Sequence, residues 1–309
     1  MNRPTGLFVG LATVDLIHRV AHPVGVNEKM TALDQEIVAG GPAANAAVTF
    51  ALLGGEAVLA TDLGTQPLAR LAHDDLARSG VRVRPARPDS DAVPAVSASR
   101  VIDATGERSI VSVNATGPAV RPPSSGWLTG QSLRSQVLLL DGHHPELALD
   151  AARTASTAKH KNTIVVDAGS WKPVFGELLP MADVVIGSAD FRVPGRPADG
   201  VVDALLGLGV PRVAISRGGD TIQWSSTHRS EHGSLERPAS GQIQIPATPV
   251  VDTHGAGDVL HGAFAWYLAG LPNRPLPELL ESASRIATER CTHRGISSWR
   301  NHLLRERAD

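Results

Sequence analysis

The chain has 309 residues, 42% of them hydrophobic and 19% charged, with a formal net charge of −2. A chain this long can bury roughly 75% of its unfolded surface, enough for one large domain with an appendage. Near-neutral charge and 4% aromatic content argue against a nucleic-acid groove, a base-stacking platform or a membrane-surface binder. In chain order, apolar strand-like runs then alternate with helix-like segments. A strand at 7–11 is followed by a helix over 42–53, a strand at 57–61 and a helix over 68–79. Further on come a strand at 137–141, a helix over 146–160, strands at 163–167 and 184–187, a helix over 198–208 and a strand at 213–216. This alternation predicts an α/β fold, a doubly wound and mainly parallel sheet with helices on both faces.

Two segments break the rhythm. Residues 12–39 and 93–114 carry β-branched or alternating runs (32–39, 95–102, 109–114) with no helices between them, and Asp103-Ala104-Thr105-Gly106 has hairpin-turn chemistry. Paired in space, they would make a small β-sheet lid over the main sheet. The α/β domain is therefore drawn at 1–11, 40–92 and 115–309, and the lid at 12–39 and 93–114. Segments 84–94, 117–130 and 225–241 read as surface connectors. The single cysteine, Cys291, excludes an internal disulfide framework and is expected as a buried small residue on a late helix. No run approaches the ~20 apolar residues of a membrane span. The opening Met1-Asn2-Arg3-Pro4-Thr5-Gly6 lacks the apolar stretch and cleavage site of a secretory signal, so a cytoplasmic protein is expected.

In doubly wound folds ligands sit at the carboxyl ends of the strands. Four apolar runs end in Asp141-Gly142-His143-His144, Asp167-Ala168-Gly169, Gly187-Ser188-Ala189-Asp190 and Ser216-Arg217-Gly218-Gly219, which predicts a cleft along one edge. The richest segment is Val250-Val251-Asp252-Thr253-His254-Gly255-Ala256-Gly257-Asp258, an apolar pair leading into two glycines and an acid that opens an amphipathic helix. A helix N-terminus offers free N–H groups and partial positive charge, and the glycines let an anion come close. Asp258 adds a carboxylate, so the segment reads as a phosphate site with a general base. A Walker motif is missing, and Leu260 stands where a dinucleotide fingerprint needs its third glycine. Upstream, Gly40-Gly41-Pro42 leads into a helix, with Asn45 placed to hydrogen-bond at the strand–helix edge. Asp15, a lone acid in an apolar run, must face solvent or bind a ligand's hydroxyls.

In this order, Gly10…Asp15, Gly40-Gly41-x-x-x-Asn45, Ser216-x-Gly218-Gly219 and the 252–258 segment resemble the PfkB (ribokinase-like) carbohydrate kinase family. Pro42-Ala43-Ala44, residues 259–263 and Cys291-Thr292 are most similar to its ketohexokinase and sulfofructose kinase branch. The resemblance implies a ribokinase-like fold whose β-sheet lid often forms a homodimer interface. It implies ATP-dependent phosphorylation of a hydroxyl on a small sugar or sugar derivative, with no nucleic-acid or membrane partner. Asp258 would take the hydroxyl proton, and the N–H groups of Gly255, Ala256, Gly257 and Asp258 would form the anion hole. Asp15, Gly41 and Asn45 would bind sugar hydroxyls; Ser216, Gly218 and Gly219 would line the nucleotide phosphates; Mg²⁺ would arrive with ATP. Because a helix N-terminus lowers a carboxylate's pKa, Asp258 is expected to be ionised and only weakly basic.

Two departures from the family pattern stand out. Gly187-Ser188-Ala189-Asp190 occupies the place of Asn-x-x-Glu, leaving Asp190 as the acid for metal or phosphate. His254 replaces a threonine beside a monovalent-cation site, where Asp252 and the Gly295 loop would hold K⁺. Lys29, Arg108 and His143 are candidates to read an anionic group on the acceptor, and Asn114 falls at a matching lid position. A nucleoside kinase, or a sugar-binding or regulatory protein without turnover, stays open as an alternative.

Overall fold

The computed structural model describes residues 3–124, 126–132, 134–158, 162–227 and 239–306. Its strands are β1 (Thr5–Val9), β2 (Thr13–Val20), β3 (Asp34–Gly40), β4 (Glu56–Thr61), β5 (Val81–Pro85), β6 (Val96–Ile102), β7 (Arg108–Ser112), β8 (Val137–Leu140), β9 (Thr163–Ala168), β10 (Val184–Ser188), β11 (Arg212–Ser216), β12 (Thr221–Ser226) and β13 (Ala239–Gln244). Its helices are α1 (Pro42–Leu52), α2 (Pro67–Arg78), α3 (Thr129–Ser132), α4 (Pro145–Thr157), α5 (Phe175–Leu178), α6 (Val201–Gly207), α7 (Ala256–Gly270), α8 (Leu276–Cys291) and α9 (Ile296–Glu306).

The larger sheet has the order β13-β12-β11-β10-β9-β8-β1-β4-β5. Its seven strands from β11 to β5 run parallel, and β12 and β13 close one edge as an antiparallel pair. Alternate residues go to opposite faces. Leu7, Val9, Leu138, Leu140 and Val166 pack with Leu147 of α4 and Leu205 of α6. Phe8, Leu139 and Val165 pack with α1, α7 and α8. Burial on both faces is why these strands read as unbroken apolar runs.

The smaller sheet has the order β3-β2-β6-β7 and is built from the two segments that broke the rhythm. One of its two inner strands, β2, is not among the predicted runs, because buried Thr13, Asp15 and Arg19 interrupt its apolar pattern. Asp15 is in register with Val38 and Ser97, and Ser97 with Ser112, so these side chains share one face.

Four expectations change. Segment 84–94 begins in a strand: β5 pairs with β4 as the sheet's other edge, and Arg82 and Arg84 disguise it. Segment 225–241 is bounded by the ends of β12 and β13 and is not simply a connector; residues 228–238 lie outside the described residues. The helix predicted over 146–160 runs Pro145–Thr157, and 159–160 are likewise outside. Helix α7 starts at Ala256, not at Asp258, and is not amphipathic. It lies between α1 and α8 and buries residues around its whole circumference.

Candidate active site

The site forms where the two sheets meet, at the carboxyl ends of the parallel strands. Asp15, only 4% exposed, reaches in from β2. Thr13 Oγ1 donates to its Oδ1 (2.5 Å), and His254 Nε2 lies 3.4 Å from its Oδ2. The carboxylate occupies the space a side chain at Gly40 would need. The next residue, Gly41, caps α1 with φ +95°, a conformation that favours glycine. Asp141, at the end of β8, ties these pieces together by accepting N–H groups from Leu11 (2.9 Å), Ala43 (3.2 Å) and His143 (2.9 Å). Burial alone would raise its pKa; the His143 imidazole and the N–H groups outweigh it and hold Asp141 well below the usual carboxylate range.

Opposite Asp15, the first turn of α7 carries Asp258. Asn45 Nδ2 donates to Asp258 Oδ2 (2.8 Å), while Asn45 Oδ1 accepts from Arg300 Nη2 (3.3 Å). Arg300 therefore fixes which way the Asn45 amide faces. Asp167, at the end of β9, brings a second carboxylate to the same cleft. His261 sits between them: its Nδ1 is 2.8 Å from Gly257 O, and its Nε2 is 3.2 Å from Ile186 O and 3.5 Å from Asp167 Oδ1. Loss of solvent, followed by the negative charge of Asp167, pushes the Asp258 carboxyl up to about 6; the Asn45 hydrogen bond and the two imidazoles oppose this only partly. The expected low, weakly basic Asp258 is thus corrected, because the helix N-terminus is outweighed by burial and by a like charge.

The pfkB family carbohydrate kinase model matches residues 6–301. The chain belongs to the pfkB family. It is an ATP-dependent carbohydrate kinase. Ribokinase from Dictyostelium discoideum is 23% identical over 313 residues, covering 94% of this chain and 95% of the relative. Ribokinase from Bacillus subtilis is 23% identical over 288 residues, covering 91% and 90%. Arabidopsis thaliana ribokinase, solved with ribose and ATP, shares the fold at a TM-score of 0.75 and 21% identity, covering 99% of this chain and 98% of that one.

Within this pfkB-family kinase, the cleft of about 360 Å³ brings together Asp15, Gly41, Asn45, Arg108, Asn114, Ser216, Gly255, Gly257 and Asp258. Ala256 lies between the two glycines in the first turn of α7. Gly218 and Gly219 are in the exposed turn between β11 and β12, and Asp190 is in the exposed turn after β10. Lys29 is exposed on the 21–33 segment and does not line the cleft. His143 pairs with Asp141 (3.2 Å) and is likewise not among the cleft's lining residues. Asp252 is buried behind the 252–258 turn and holds two arginines, the geometry of an ion-pair hub and not of a metal ligand. Cys291 is half-buried at the end of α8, and burial raises its thiol pKa. The sequence places Asp167 at a strand end on the cleft without giving it a role, and it misses His261 and Arg300. His261 stands three residues after Asp258, one turn along the same helix face. Arg300 gave no signal, since nothing in α9 marks it as a partner of Asn45.

Proposed function

We propose that this kinase transfers the γ-phosphoryl group of ATP to a hydroxyl of a small neutral sugar held between the two sheets. The observation that carries the reading is Asp258: a cleft carboxylate oriented by Asn45 at a helix N-terminus, with its basicity raised into the range useful near neutral pH. Asp258 takes the acceptor proton. Ala256 N–H turns back to Thr253 O (3.2 Å), so the anion hole rests first on the N–H groups of Gly255, Gly257 and Asp258. Asp15 and the edge of α1 at Gly41 and Asn45 hold sugar hydroxyls, with Asn114 closing from the smaller sheet as a lid. Ser216, Gly218 and Gly219 line the nucleotide phosphates.

The donor set fits a hydrated Mg²⁺. Asp167 faces the cleft with a nearest imidazole at 3.5 Å, beyond a good hydrogen bond, and Asp190 stands on the following turn. When bound, the ion neutralises charge on the phosphates. Electrostatics favour a neutral acceptor. Asp15, Asp167 and Asp258 all line the cleft, while Arg108 is engaged by Thr253 O (3.0 Å) and Oγ1 (2.5 Å) and Lys29 stays outside. An anionic group on the sugar would meet three carboxylates.

The smaller sheet supports a homodimer. Leu16, Ile37, Ala98 and Val111 are in register on its face away from Asp15, with Ile37 46% and Val111 75% exposed. A lone, half-buried cysteine suits the reducing cytoplasm. ADP release measured across neutral sugars, sugar phosphates, sulfosugars and nucleosides tests the catalytic reading. Neutral sugars should give the highest kcat/KM, and Asp258→Asn should abolish most of it. Release confined to nucleosides would replace the sugar reading, and wild-type rates in Asp258→Asn would remove the base.

A further inference from the structure

We infer that two buried arginines, Arg290 and Arg19, stand in for the monovalent cation expected beside the 252–258 turn, so that this kinase runs without potassium. The inference rests on the kinase reading for its rate measurements only. A potassium ion behind this turn would need a shell of carboxylate and carbonyl oxygens from residues 251–254 and 291–295. The carboxylate of that shell and four of its carbonyls, those of Asp252, Thr253, Cys291 and His293, already face N–H groups. Asp252 Oδ2 accepts from Arg19 Nη2 (3.0 Å) and the Gly295 N–H (3.2 Å) and has Arg290 Nη2 at 3.4 Å as an ion-pair contact without a hydrogen bond, while Oδ1 accepts from the His254 N–H (2.9 Å). Arg290 Nη1 points at Asp252 O (3.4 Å) and donates to His293 O (3.0 Å). Cys291 O accepts from both Val251 and Asp252 (2.8 and 3.1 Å), and Thr253 O accepts from Arg108.

Charge balance points the same way. Asp252 and Arg290 are each 1% exposed, and guanidinium groups keep their protons in proteins. The second negative charge comes from Asp103, 3.4 Å from Arg19 and 3.0 Å from Arg294. A further cation at Asp252 would lie beside two fixed positive charges with little water to screen them. The arginines also do what a bound ion would do for the turn. They hold the carboxylate that receives the His254 and Gly295 N–H groups, and so join the turn to the segment between α8 and α9. The phosphate-binding backbone is then organised by built-in charge.

The test compares initial rates and ligand-free thermal midpoints in potassium, sodium and choline chloride at one ionic strength. Wild type should keep its rate within about twofold across the salts, with equal midpoints in potassium and choline. Arg290→Ala opens the site: in choline its rate should fall by about tenfold or more, recovering in potassium together with a rise in midpoint. Arg290→Lys keeps the charge and should remain insensitive to potassium. A wild-type rate or midpoint that rises specifically with potassium overturns the proposal, and so does an Arg290→Ala protein fully active in choline. If Arg290→Ala does not fold, the wild-type and Arg290→Lys measurements decide. Absence of turnover in every salt would count against the kinase reading, while the ligand-free midpoints would still decide this one.

Discussion

Two opposing influences act on Asp258. The N-terminus of α7 favours its ionised form, while loss of solvent and the charge of Asp167 favour the neutral one, and the second pair wins. The expected kinetic signature is an acid limb in kcat/KM: activity rises with pH through about 6 and levels off above it. Asp167→Asn removes a raising charge and should move that limb to lower pH; a pH–rate profile with the limb unmoved would dissociate the two carboxylates. Asp258→Asn should lower kcat by about 10²–10⁴-fold. Stability runs the other way. A carboxyl whose pKa is raised on folding stabilises the fold most fully below its unfolded value, and that contribution is lost as pH rises through the folded value. Asp258→Asn should therefore raise the thermal midpoint at pH 8 and leave it nearly unchanged at pH 4, a difference that melting curves at the two pH values would show. His254 acts beside this pair as a positioning residue, its N–H on Asp252 and its ring by Asp15. His254→Ala should raise KM for the sugar more than it lowers kcat, and the reverse split would show that it acts on the transferring group.

Helices α1 and α7 carry the two halves of the site, Asn45 and Asp258, and their distance apart is set by packing. A side chain at Gly262 would overlap Ala46 O and crowd Thr49, so the helices touch backbone to backbone there. Gly262→Ala should destabilise the protein by about 1–3 kcal/mol, the usual consequence of overpacking. It should also lengthen the Asn45–Asp258 hydrogen bond, lowering kcat; denaturant unfolding and steady-state rates would check both. This contact was invisible in the linear chain, because residues 46 and 262 belong to different segments. What could be read was whatever one segment contains: the buried parallel strands as apolar runs, the glycines before α1, and the contiguous 252–258 turn. What could not be read were elements whose pattern is broken by function or by solvent. Thr13, Asp15 and Arg19 hide β2, and Arg82 and Arg84 hide β5. The same logic separates the site residues. Asp258 and Asn45 announce themselves by local motif, whereas Arg290, Asp167 and Arg300 acquire meaning only from partners elsewhere in the chain: Asp252 for Arg290, Asp258 for Asp167, and for Arg300 an Asn45 that lies 255 residues away.

At the scale of the molecule, the smaller sheet has two unlike faces. One presents Asp15, Ser97 and Ser112 to the cleft, and the other presents the apolar row from Ile37 to Val111. A monomer gains nothing from the second face; of the sheet's two edge strands, β3 is covered near Ala39 by Asp75 of α2 and Arg300 of α9, which leaves β7 as the other edge. A two-fold pairing of smaller sheets would bury the row against itself. Such a dimer would also stiffen the sheet that carries Asp15, so assembly and acceptor binding should be linked. Val111→Arg places a charge at the β7 end of the apolar row, inside the proposed contact. It is expected to shift the protein to its monomer mass of 32.4 kDa in light scattering after gel filtration, with little loss of thermal stability because Val111 is exposed. The sugar KM should rise in the same variant while the KM for ATP stays near its wild-type value, since Ser216, Gly218 and Gly219 belong to the larger sheet and its turns. A wild-type protein that is already monomeric at micromolar concentration would leave the apolar face without this partner. A Val111→Arg dimer would place the contact on another surface. A monomeric variant with an unchanged sugar KM would separate assembly from binding, showing that β2 is held firmly enough by β3 and β6 to position Asp15 without a second copy.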